Sequence, residues 1–175
     1  MSADLPIYHE RQEAACCGRH AINALMQGPV FDDVSLADAA IALWASERAL
    51  LEGPPSPGGE NPYVDNSGNF SVEVLSNALR GRGVELLRDA AEVTRSIENP
   101  VLHPAYLFNR NEHWFLVRRF EGLGGGMWLN LDSVNPSPMP IGDFYVRVPG
   151  PLLRARARAA LHRRPPPTHP PPPAS

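Results

Sequence analysis

The 175-residue chain has no lysine, so its 16 basic side chains are all arginine. It offers no side-chain amine to ubiquitin or acetyl groups, and the uniform arginine usage beside 20 prolines reads as compositional bias. Cysteine is nearly as scarce. Cys16 and Cys17 are adjacent, so they frame no disulfide scaffold and would close only a strained vicinal ring. That scarcity argues against secretion. No apolar stretch approaches the ~20 residues of a membrane span. The N-terminal stretch carries acids and histidine throughout, unlike a signal peptide. The expected setting is intracellular, cytoplasmic or nuclear. Basic charge is also lacking where a nucleic-acid module needs it: residues 1–150 hold 11 Arg against all 19 acids, whereas residues 151–175 hold 5 Arg and no acid. An acidic body does not track phosphates, so no nucleic-acid partner is expected. Adjacent cysteines share one tetrahedral site poorly, and no Cys-x-x-Cys or His-x-x-x-His spacing occurs, so neither zinc nor another cofactor is expected.

The chain length suits one domain with a real core. Ala21, Ile22, Leu25 and Met26 fall at helical spacing, predicting a first helix from about Cys17 to Gln27 with Gly28-Pro29 as its stop. A second helix is expected from Leu36 to about Leu51, with Ser35 as N-cap and Asp38 in the first turn. Pro54 to Gly68 has turn composition and no period, which predicts an exposed loop. Phe70, Val74, Leu75, Ala78 and Leu79 mark a third helix closed by Gly81 and Gly83. Then the period turns extended, and strands are expected at Val84–Leu87, Tyr106–Phe108, His113–Arg119, Met127–Asp132 and Phe144–Val148. Helices followed by strands favour an α+β fold, helices packed on an antiparallel sheet. The domain is expected over 1–150. Residues 151–175 read as an Arg/Pro-rich tail: a frayed helix around Arg154–Arg158, then disorder or polyproline II, with Pro-x-x-Pro matches of the kind SH3 or WW domains take weakly.

Chemistry concentrates in three places. The strands at His113 and Met127 are joined by a glycine-rich turn, and centring it between Gly122 and Leu123 sets His113 opposite Asp132. Opposed residues share a face about 5 Å apart, within reach of an imidazole–carboxylate bond. Cys16 and Cys17 lie at a helix start, where backbone N–H groups and the helix dipole favour a thiolate. Cysteine, histidine and aspartate together make an activated thiol for acyl transfer. Gln12 could donate its amide to an oxyanion. His20, three residues after Cys17, competes as base, although a helix neighbour more naturally supports than reacts.

The stretches Ile7–Glu13 and Cys17–Gln27, then Asp65–Leu79, then Asn111–Phe115 and Trp128–Ser133, resemble in order the blocks of Josephin-domain proteins, papain-like cysteine proteases that remove ubiquitin. The resemblance implies a papain-like α+β fold, with Cys17 as nucleophile, His113 as general base, Asp132 as the residue that orients it and Gln12 as oxyanion donor. It implies ubiquitin or ubiquitin conjugates as partners, no cofactor, and a narrow cleft walled by Trp114. Asp132 stands where the family has Asn or Asp. The segment from Ser35 to Ser71 is shorter than in the longer members, and the stretch after Ser133 lacks a helix usual before the last strand. Those departures leave two other readings open: a ubiquitin-binding module of weak or decayed catalysis, and a papain-like hydrolase acting on another acyl donor.

Overall fold

The computed structural model describes residues 7–50, 61–63, 69–121, 126–141 and 152–157. Its architecture is α+β, as the sequence predicts. Helix α1 (Cys17–Met26) buries Ala21, Ile22 and Leu25, the stripe its spacing foretells. It ends one residue before the expected stop, because Gln27 itself takes the left-handed conformation (φ 57°) that glycine usually supplies. The Gln27 side chain stabilises that turn by donating to the carbonyl of Ala24 (2.6 Å), while its Oε1 accepts from Tyr8 N–H (3.0 Å).

Helix α2 (Asp33–Leu50) starts earlier than Ser35 implies. Asp32 is the capping side chain: its Oδ1 accepts from Ser35 N–H at 2.7 Å, and Ser35 Oγ accepts in return from Asp32 N–H at 3.1 Å. The Ser35 N–H lies at bonding distance from Asp32, and that holds the carboxyl of Asp32 below its ordinary value. Helix α3 (Val72–Arg80) buries Val74, Leu75 and Leu79. Most of the loop expected over Pro54 to Gly68 lies outside the described residues.

Strand β1 (Val84–Leu87) is followed by a helix that the sequence reading missed, α4 (Ala90–Glu98), and by a 3-10 turn, Pro100–Leu102. Helices and strands are therefore not fully segregated along the chain. Asp89 caps α4 by accepting from Glu92 N–H (2.8 Å). Strands β2 (Ala105–Arg110), β3 (His113–Phe120), β4 (Met127–Asn130) and β5 (Met139–Ile141) follow. Pro140 is tolerated in β5 because that strand is an edge. Phe144–Val148, expected as a strand, lies outside the described residues. A correction comes next to it: Leu152–Ala157 is not a frayed helix but strand β6, pairing antiparallel with both β1 and β2. Alternating Arg-Ala satisfies a two-residue period as well as a helical one, and two open strand edges decide between them. The sheet thus runs past residue 150, in the order β1-β6-β2-β3-β4-β5.

Ile22, Leu75, Leu79, Leu107, Leu116 and Leu131 are all essentially inaccessible, and they fuse α1 and α3 to one face of the sheet. Each contributes roughly 1.5–3 kcal/mol relative to exposure. This packing, more than any helix propensity, fixes where the start of α1 stands. A smaller cluster of Tyr106, Phe108, Val117 and Trp128 covers the other face.

Candidate active site

Both ends of α1 are tied to β3. Gly18 permits the close approach at the N-terminal end: a Cβ there would lie 3.3 Å from the Trp114 ring and 3.4 Å from Leu75. At the other end the Arg118 guanidinium donates to the carbonyl of Leu25, among the unpaired carbonyls that end a helix. Burial pulls Arg118 below its ordinary pKa.

That docking sets the Cys17 sulfur against the chain on either side of His113. Trp114 N–H donates to Sγ at 3.3 Å, and the Glu112 carbonyl lies 3.9 Å away. The carbonyl is aimed by a two-residue hairpin turn between Arg110 and His113, in which Asn111 (φ 52°) and Glu112 (φ 62°) are both left-handed. This matches the turn type that suits strand twist, but a left-handed Glu is sterically costly. A third group faces Sγ from the opposite wall, Asn69 Oδ1 at 3.6 Å.

His113 Nε2 and Asp132 Oδ1 are 2.7 Å apart. The bond forms, but not through the register expected. β3 and β4 pair Val117 with Asn130 and Phe120 with Met127, two residues out from the arrangement that would oppose His113 and Asp132. A shift of two preserves the face, so the pair meets diagonally rather than directly. The His113 ring lies near-parallel to Phe115, with centroids 6.3 Å apart. Asp132 Oδ1 also accepts from Val134 N–H (3.1 Å), which fixes the carboxylate. With Nε2 committed to Asp132, Nδ1 is the ring nitrogen left for chemistry.

Gln12 is placed differently from its neighbours. Its backbone N–H donates to Ser133 O (2.7 Å) and its Oε1 accepts from Ser133 Oγ (3.1 Å), so it is anchored beside Asp132. Its amide nitrogen, however, donates to Ala14 O at 3.0 Å. His20, the competing base, is 4% exposed in its side chain and bonded through Nδ1 to Glu10, with Nε2 3.3 Å from Arg19. It fastens the 7–13 segment to α1. Glu10 also accepts from Tyr8 OH and from Asn23 Nδ2 (3.1 Å). Burial, then the bond to Glu10, pushes the Tyr8 phenol up to about 12. Cys16 is half-buried; burial, then the Asp33 carboxylate, pushes its thiol pKa up.

A groove of about 240 Å³ opens beside the sulfur, lined by Pro62, Tyr63, Asn69, Phe70, Ser71, Asn109, Glu112 and Trp114. The three residues that touch Sγ all belong to its lining. Trp114 is locked in its wall by Nε1–H donating to Phe70 O (3.2 Å). Asn69 and Glu112 escaped the sequence reading; Asn111-Glu112, filling a two-residue turn between strands, was the one local signal. Among the described residues no group of three His, Cys, Asp or Glu side chains could hold a metal, and no helix is long and apolar enough to cross a membrane.

A thiol at a helix start, held against the strand that carries an imidazole–carboxylate pair, on helices packed against an antiparallel sheet, is the arrangement of the papain-like class. The Josephin family profile matches residues 12–149. The chain is 36% identical over 151 residues to an ataxin-3 homolog of Caenorhabditis elegans, an alignment spanning 83% of this chain and 46% of that protein. It is 37% identical to ataxin-3 of Gallus gallus over 149 residues, 80% of this chain and 40% of the relative. Human ataxin-3 is 36% identical over the same length, again 80% and 40%. The chain belongs to the Josephin family, a ubiquitin-related family of cysteine proteases, and spans less than half the length of these relatives.

Proposed function

We propose that the protein is a deubiquitinating cysteine protease that hydrolyses the amide or isopeptide bond at the C-terminal glycine of ubiquitin. Cys17 attacks the glycine carbonyl. His113 takes the thiol proton, delivers it to the leaving amine and then activates water; Asp132 holds the imidazole and stabilises its charged form. Gln12, once its amide leaves Ala14, and the backbone at the start of α1 meet the oxyanion. The observation that carries this reading is the 2.7 Å His113–Asp132 bond with Cys17 Sγ held against the next residue's N–H at 3.3 Å. Ubiquitin or its conjugates are the partners, in the cytoplasm or nucleus. The Pro-rich stretch that SH3 or WW domains would take lies outside the described residues.

The test is labelling with ubiquitin carrying a C-terminal electrophile. The wild-type protein forms a covalent adduct and Cys17→Ala does not; no adduct, or one that survives the substitution, defeats the assignment. A second reading, a ubiquitin-binding module with weak catalysis, is favoured by the 3% exposure of Cys17 and the engaged Gln12 amide. Turnover of a fluorogenic ubiquitin amide excludes a pure binder.

A further inference from the structure

We infer that Asn69 is a positioning residue that holds the Cys17 thiol at rest and releases it when an extended peptide fills the adjoining groove. The inference rests on the activity proposed above and adds a residue that neither the sequence nor the Cys–His–Asp arrangement assigns.

Three observations carry it. Asn69 Oδ1 lies 3.6 Å from Sγ, across 52 positions of sequence, so the contact joins the far wall of the groove to α1. A carboxamide oxygen accepts an S–H but repels a thiolate, so this contact stabilises the neutral thiol. The Trp114 N–H, by contrast, is a donor that serves either form and stays in place. Second, Cys17 is 3% exposed while Asn69 lines the groove, so an occupant reaches the carboxamide as it nears the sulfur. Third, Ser71 Oγ, two residues along the same wall, is shielded and has no hydrogen-bond partner among the described residues. A wall with an engaged amide and an idle hydroxyl matches the alternating N–H and C=O groups of a peptide backbone. A peptide N–H takes Asn69 Oδ1, the S–H loses its nearer acceptor and keeps only the Glu112 carbonyl at 3.9 Å, and the thiol turns to His113, which accepts its proton.

The test compares Asn69→Leu, similar in shape without polar atoms, and Asn69→Asp, isosteric and acceptor only. Iodoacetamide alkylation of free enzyme at pH 7, read by fragment-ion mass that assigns the adduct to Cys17 and not to the adjacent Cys16, is expected to rise roughly 2- to 10-fold in Asn69→Leu, the worth of one lost hydrogen bond. It is expected to fall in Asn69→Asp. In Asn69→Leu the KM for a fluorogenic ubiquitin amide is expected to rise by a similar factor, and by more than kcat changes, because the groove has lost its acceptor. A packing defect instead slows alkylation and turnover together. Asn69→Leu alkylating no faster than wild type, or losing rate in both assays, overturns the proposal. If Asn69→Leu does not fold, Asn69→Asp with unchanged melting decides: slower alkylation supports the contact, equal or faster alkylation removes it. The alkylation arm needs no ubiquitin. Wild-type inertness toward ubiquitin therefore sinks the proposed activity, whereas equal alkylation in all variants with turnover intact sinks only the role of Asn69.

Discussion

His113 with Asp132 and His103 with Glu92 are bonded at nearly the same distance, 2.7 and 2.8 Å, and they do different things. The first pair is partly open, with side chains 28% and 15% exposed, and a thiol stands beside the strand that carries it. The second is closed: the side chains are 6% and 12% exposed, Arg95 occupies the other Glu92 oxygen at 2.5 Å, and the Tyr106 ring packs edge-on against the imidazole. It fastens α4 to the start of β2. An imidazole–carboxylate bond is therefore no mark of a site by itself. What marks the site is a partly open imidazole whose strand also holds a thiol at its next backbone N–H.

The sharpest way to break this contrast is to remove each imidazole in turn. His113→Asn is expected to lower kcat on a ubiquitin amide by roughly 10²–10⁴-fold, the range of a lost general acid–base group, with little change in melting temperature. Comparable turnover in the variant would end the assignment of His113. His103→Leu removes the buried one of Glu92's two partners and leaves Arg95 on the other oxygen, so about 1–3 kcal/mol of stability is expected to go in denaturant titration. Its kcat per folded molecule should match the parent. A loss of kcat there would mean that the closed pair shapes the groove after all. Smaller in effect is Gly18→Ala, which tests whether site geometry or fold stability feels the α1–β3 contact first. The new methyl meets a Trp114 ring that cannot turn without breaking its bond to Phe70 O. Turnover is expected to fall several-fold, because a small displacement of the sulfur is costly to chemistry. Stability is expected to fall by only about 1 kcal/mol.

The open pair was legible in the sequence and the closed one was not, for a physical reason. His113 opens β3 and Asp132 lies two residues past β4, and the two-residue period with the glycine-rich sequence between the strands predicts that they share a face even when the register is misjudged by two. Cys17 is visible because its helix has a clear apolar stripe. His103 and Glu92 meet only because α4 packs back over a 3-10 turn, and nothing in the period of either segment predicts that contact. The same holds for Asn69, whose approach to Sγ depends on how α3 and the chain before it settle on α1. Strand β6 was misread for a related cause: Arg-Ala alternation carries too little apolar signal to choose a period, and the open edges of β1 and β2 made the choice. Gln12 shows the reverse case. Its position is legible, but its amide hydrogen bond is set by Ala14, whose left-handed backbone (φ 54°) no residue preference foretells.

A third histidine–carboxylate pair, His20–Glu10, extends the contrast to pH. Glu10 gathers His20, Asn23 and Tyr8, so the segment before α1 is held by a network of polar bonds in addition to the packing of Ile7 on the core. The Tyr8 phenol is raised to about 12 by burial and then by Glu10. In an unfolded chain the same phenol ionises near 10. Below about pH 10 both states keep the proton and the contribution of the contact is whole. As pH climbs from about 10 toward about 12 only the unfolded chain gives the proton up, so stability falls across that window. Tyr8→Phe removes both the bond and the titration. It is expected to cost about 1 kcal/mol at pH 7 and to flatten the alkaline decline in melting temperature relative to the parent. If parent and variant lose stability in parallel above pH 10, the phenol is not bonded to Glu10, and the network that seats the chain before Cys17 must be drawn without it.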